Sequence, residues 1–226
     1  MALSMKNIAL DCLGITPPLS ILGGVFGYFF PPGQVLSLKR QLELLREPGL
    51  NINVILVADE NFTWQDWEET QYSIQFMRDI YANVNLCVRK IRWQAIHAAD
   101  AGGYAAINSG SEAHDLTDDW NGPNGGYLDV FVVRSMTNGA DGWSAVDGPC
   151  SKDDKDEMTG SVVSLNGSYD NSGNTFAHEI GHYLGLEHIG DRDNFIGNNG
   201  ASNANTGILG SQGTTMKKHC YVKDIC

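Results

Sequence analysis

Apolar and polar positions along this chain follow two periods, and the places where one gives way to the other outline its elements. From Gln34 to Glu47, QVLSLKRQLELLRE puts Leu38, Leu42 and Leu45 at helical intervals, which predicts an amphipathic helix stopped by Pro48-Gly49. The run NINVILVAD that follows is apolar and rich in branched residues, as a buried strand is. Thr63 and Asp66 have the spacing of a helix cap, and Trp67, Ile74, Met77 and Tyr81 then share one face of a long helix that extends to about Asn83. NLCVRKIRW, with imperfect alternation, and YLDVFVVRSM, with the cleanest apolar run, predict two more strands. Between them, residues 97 to 126 are rich in Gly, Asp, Asn and Ser and read as one long functional or mobile connection. Gly142-Trp143-Ser144-Ala145 reads as a short edge strand and TGSVVSLN as a further strand. A helix follows with Phe176, Ile180 and Leu184 facing the sheet and Asn174 or Ser172 as its cap. Beyond it the chain is Gly- and Asn-rich to about Gly213.

The chemistry is concentrated in HEIGHYLGLEH, residues 178 to 188. His178 and His182 lie one helical turn apart, so both imidazoles leave the same face. Gly185 follows where a residue tolerating positive φ can end the helix, and the chain then returns with His188. Three neutral imidazoles suit Zn2+ and leave the fourth tetrahedral position to water. Glu179 is placed to reach that water and serve as general base. A purely structural zinc site would have four protein ligands, often including Cys, and no Cys lies in this stretch.

HEIGHYLGLEH matches H-E-x-x-H-x-x-G-x-x-H at every fixed position, and in this the chain resembles the metzincin clan of zinc endopeptidases. The resemblance implies an α+β, metzincin-like zincin fold. It would contain a twisted mixed sheet with an edge strand over the cleft, a long backing helix, the motif helix and a small irregular C-terminal subdomain. It divides the chain into an N-terminal extension, 1–48, and a catalytic domain, 49–226, with upper (49–188) and lower (189–226) subdomains. The extension carries a helix and is a candidate pro-segment remnant. Asp11-Cys12 offers the residue types with which pro-segments of similar proteases block the metal, although an ordinary packed segment is the preferred reading. The ligands implied are His178, His182 and His188, with Glu179 as catalytic base. Met216, the only Met after the motif, is the candidate for the clan's Met-turn. An extended polypeptide would pair with the edge strand through its main chain. The chain departs from the clan in two places. Only ten residues follow Met216, short of the usual C-terminal helix, and Lys218 stands where several relatives carry a zinc-reaching Tyr. His219 and Tyr221 are not assigned that role. Two other readings are a non-catalytic binding module on the same fold and a zinc hydrolase of a non-peptide amide.

Fifteen basic against twenty-seven acidic residues give a net charge of −12, which argues against nucleic acid or anionic membrane as partner. The acidic stretches SKDDKDEMTG and GDRDN make Ca2+ a second candidate ion, with solvated loops the preferred reading. His97 and His114 with Asp115, Asp118 and Asp119 lack recognisable ligand spacing and read as surface residues. Five cysteines, Cys12, Cys87, Cys150, Cys220 and Cys226, allow at most two bridges; Cys220 with Cys226 is the most local option, and Cys87 with Cys150 would then leave Cys12. Two sequons, at Asn61 and Asn166, are weak signals. No clear signal peptide opens the chain, yet a secreted or extracellular setting suits the resemblance. Oligomeric state is not legible.

Overall fold

The computed structural model describes residue 40 and residues 43–44, 46–122, 125–137, 139–198 and 205–224. Most of the 34–47 helix, the Asp11-Cys12 pair and Cys226 lie outside the described residues.

In chain order the elements are β1 (Gly49–Val57), α1 (Trp64–Ala82), β2 (Cys87–Ile96), the single turn α2 (Ala98–Ala101), α3 (Gly110–Asp119), β3 (Leu128–Val133), β4 (Gly142–Trp143), β5 (Gly160–Ser164), α4 (Tyr169–Tyr183), α5 (Gly210–Met216) and β6 (Val222–Lys223). The sheet runs β2-β1-β3-β5-β4. Its first four strands are mutually parallel, and β4 is antiparallel at one edge. This is the twisted mixed sheet with an edge strand that the motif implied. After α5, β6 returns and pairs antiparallel with Gly49 and Leu50 of β1.

Parallel strands need long crossovers, and helices supply them on both faces. Leu50, Ile52, Val54 and Leu56 of β1 point to the face covered by α1 and α4, whereas Ile55 and Val57 point to the face covered by α3. α1 starts at the expected capping box: Thr63 Oγ1 accepts from Asp66 N at 3.3 Å and Asp66 Oδ2 accepts from Thr63 N at 2.7 Å. It packs directly on α4. Tyr81 donates its hydroxyl to Ala177 O at 2.7 Å, and a Cβ on Gly173 would stand 2.7 Å from Phe76.

Three expectations are corrected. Residues 97–126 are not one structureless connection, because α2 and α3 form within them; Ser109 caps α3 by accepting from Glu112 N at 3.2 Å. The motif helix begins at Tyr169, six residues before the stretch that Asn174 would cap. Ser172 and Asn174 are therefore interior and do other work. Ser172 donates to buried Glu69 of α1, which also accepts from Asn166 N (3.2 Å) and Gly167 N (3.1 Å), so that α1 receives the chain entering α4. Asn174 donates to Asn205 O. Finally, Cys220 pairs with Cys150, 70 positions away, rather than with Cys226, and Cys87 is buried elsewhere.

Candidate metal centre

α4 brings His178 and His182 to its cleft-facing side, and the helix then ends in a Schellman turn. Gly185, at φ 94°, donates to His182 O at 2.8 Å, and Leu186 donates to Gly181 O at 3.0 Å. That reversal returns His188. The three Nε2 atoms lie 2.9, 3.1 and 3.1 Å apart. A triangle of that size has its centre nearer each nitrogen than a zinc–nitrogen bond of about 2.0–2.1 Å, so an ion just off its plane reaches all three.

The hydrogen bonds fix which nitrogens are available. His178 Nδ1 faces Phe195 O at 2.9 Å and His182 Nδ1 faces Leu186 O at 2.6 Å. A carbonyl only accepts, so both Nδ1 atoms carry the proton and both Nε2 atoms present lone pairs. Two lone pairs 3.1 Å apart repel, and a shared cation resolves that conflict. Burial keeps these imidazoles neutral: it lowers His178 and, helped by His178 itself, pulls His182 down to about 4. The donor set therefore fits zinc.

Phe195 has the positioning role that sequence reasoning missed. It is fully buried, and its ring stands 2.7 Å from where a Cβ on Gly181 would be. Its carbonyl orients His178. Phe195-Ile196 is the one large apolar pair in GDRDNFIGNNG, and that was the available signal.

Glu179 is 8 % exposed and lies against β4: a Cβ on Gly142 would meet its Cγ, Cδ and Oε1 at 2.4–2.7 Å. Burial, and secondarily Asp141, raises its carboxyl to about 8. A cation held by the three imidazoles opposes that rise, so ion and carboxylate favour one another. Met216 ends α5 fully buried, in the same apolar cluster as Tyr183, Leu184 and Leu186 of the motif. His219 is buried with its ring stacked on Tyr221 at 5.7 Å, and its Nε2 faces Gly148 O at 2.9 Å.

The histidines and acidic residues of 97–119 do not gather into one site. His97 sits with Asp59 (3.2 Å) and Glu60 (3.0 Å), while His114 meets Asp118 of its own helix at 3.8 Å. Among the described residues, neither acidic stretch gathers three metal-ligating groups around one point, so calcium gains no support.

Comparison with known proteins agrees with this geometry. The sequence model of metallo-peptidase family M12B, reprolysin-like, matches residues 108–189, a segment that holds α3, β3, β4, β5 and the motif through His188. The fold is thus shared with solved metalloproteinases, and the matched segment, which carries the motif, resembles that metallo-peptidase family. Among solved structures, the chain is similar to metalloproteinase-II from Bacteroides fragilis, with a TM-score of 0.51 and 14 % identity over 77 % of this chain and 53 % of that one. It is also similar to archaemetzincin from Methanopyrus kandleri, with a TM-score of 0.50 and 11 % identity over 84 % of this chain and 97 % of that one. A chain in a chaperone–substrate complex aligns with a TM-score of 0.52 and 13 % identity, over 78 % of this chain and 34 % of that one. This chain thus spans about half the length of the Bacteroides protein and a third of the chain from the complex. No curated protein matches it in sequence. Among the described residues, no helix is long and apolar enough to cross a membrane.

Proposed function

We propose that this chain is a zinc-dependent endopeptidase that hydrolyses internal bonds of polypeptides bound in extended form. The observation that carries the reading is the convergence of three Nε2 atoms beside a buried carboxylate, two of them presenting lone pairs because backbone carbonyls hold the ring proton on Nδ1. His178, His182 and His188 would hold the ion, which supplies a Lewis-acidic centre for water and the scissile carbonyl. Glu179 takes the proton of the attacking water and passes it to the departing amine. Among the described residues β4 pairs with β5 alone, and its other edge is where a substrate backbone would dock; an extended backbone is common to all peptides. Met216 supports the ligands from below as packed apolar bulk. The Cys150–Cys220 bridge supports a secreted protein matured in an oxidising compartment.

Casein digestion tests this reading. The zinc-loaded chain is expected to cut casein, to stop when a chelator removes the ion and to resume when zinc is restored. Zinc bound at one per chain with no cleavage of any polypeptide would overturn it in favour of a binding module. Hydrolysis of small amides alone would favour the non-peptide hydrolase.

Gly142 adds a sharper test. Gly142→Ala forces Glu179 aside because the new methyl overlaps its side chain. A displacement of roughly 1 Å is expected to lower kcat by about 10²-fold. Zinc content, set by the histidines, is expected to stay at wild-type level. Metal analysis beside steady-state kinetics checks both, and an unchanged kcat would show that Glu179 does not depend on the edge strand for its position.

A further inference from the structure

A cavity of about 520 Å³ opens beside the motif's turn, lined by Asp147, Gly185, Glu187, Thr215, Lys218 and His219 among others. Its wall is tied to the metal-binding element. Asp147 donates its backbone N–H to His182 O at 3.0 Å, and Gly148 donates to Tyr183 O at 2.9 Å, so the segment satisfies the last carbonyls of α4. Asp147 itself sits at φ 58°, a region that Asp and Asn enter more readily than other side chains. Its carboxylate lies across the turn, with Oδ1 3.4 Å from where a Cβ on Gly185 would stand. The glycine that reverses the motif also makes room for this acid.

The cavity's other charged groups are Glu187 and Lys218, both exposed, and among the described residues no ion pair joins Lys218 to either carboxylate. His219 spends its Nε2–H on Gly148 O. The wall is thus net negative, on a chain of net charge −12, and a concave surface focuses such a field. Leu184, Val146 and the methyl of Thr215 add apolar surface for a long side-chain stem.

Leu184, Gly185 and Glu187 of the cavity's lining stand between His182 and His188 in the motif, and Asp147 follows Gly142, the residue packed on Glu179, by five positions. We infer that this cavity selects substrates carrying Lys or Arg at one position next to the scissile bond, with Asp147 as the specificity-determining residue. The inference rests on the peptidase reading above. An aliphatic stem ending in a cation matches apolar surface beside the exposed carboxylate of Asp147, and a guanidinium can bond that carboxylate through two N–H groups.

The test is cleavage of a proteome-derived peptide mixture by the zinc-loaded chain, with cut sites read by mass spectrometry. Lys and Arg are expected to be enriched about tenfold at a single position within three residues of the cut. In Asp147→Asn, chosen because Asn tolerates the same φ, the ratio of kcat/KM for an Arg peptide to that for its Met counterpart is expected to fall about tenfold. Asp147→Lys is expected to turn the preference toward acidic side chains. Cleavage without Lys or Arg enrichment, or enrichment that survives Asp147→Asn, would overturn the inference and leave the peptidase reading standing. Absence of any cleavage by the zinc-loaded chain would remove both.

Discussion

Glu179→Gln is expected to bind zinc as the wild type does and to lose about 10²- to 10⁴-fold in kcat, the usual worth of a positioned general base. Gln has nearly the same shape, so the fit against Gly142 is kept. The three imidazoles and the carbonyls that orient them are untouched. What disappears is a group able to accept and return a proton. KM is expected to change little, because the carboxylate does not hold the substrate backbone. Metal analysis and steady-state cleavage of one peptide check the two halves separately. Loss of zinc from this variant would make Glu179 a ligand, and full activity would place the base elsewhere.

Opening the Cys150–Cys220 bridge carries the largest expected cost in stability. The bond closes a loop of 70 positions, for which loop entropy alone gives about 4 kcal/mol. At about 2–4 °C per kcal/mol for a chain of this size, Cys150→Ser with Cys220→Ser is expected to lower Tm by roughly 10 °C. The effect has a local side. Cys150 follows the segment Asp147–Pro149, where Tyr183 donates to Pro149 O at 2.8 Å, and Cys220 follows Lys218 and His219. The bridge therefore holds the two walls of the cavity beside the motif together. Thermal unfolding of oxidised wild type and the double variant, each with zinc, measures the difference. An unchanged Tm would mean that the unfolded chain already holds this loop nearly closed, so that the bridge removes little entropy from it.

The three-imidazole cluster was legible because it is local. Helical periodicity alone puts His178 and His182 on one face, and Gly185 announces the reversal that returns His188. The parallel strands were legible for a similar reason, since burial on both faces leaves near-continuous apolar runs in β1 and β3. The start of α4 was misread because cap preferences favour the Ser or Asn closest to the apolar run. Here Glu69, about a hundred positions upstream, takes the N–H groups of Asn166 and Gly167, and the helix begins earlier. α3 was missed because its Gly and Asp content masks its period, although Ser109-x-x-Glu112 was a capping signal.

What the sequence by itself determined is the local constellation: three imidazoles, a carboxylate and a glycine at spacings that a single helix and its turn bring together as a candidate metal centre. Tertiary structure alone decided what surrounds that centre. It set Phe195 O behind His178, Gly142 against Glu179, Cys150 beside Cys220 and Asp147 over Gly185. It also buried Asp129 with Lys152 at 2.6 Å and Asn53 at 2.8 Å, joining strands and loop that the sequence keeps far apart. The physical reason is the range of the forces concerned. Backbone periodicity and turn geometry act over a few residues and are written in order along the chain, whereas orientation, desolvation and charge pairing depend on groups that meet only once the sheet and helices have packed.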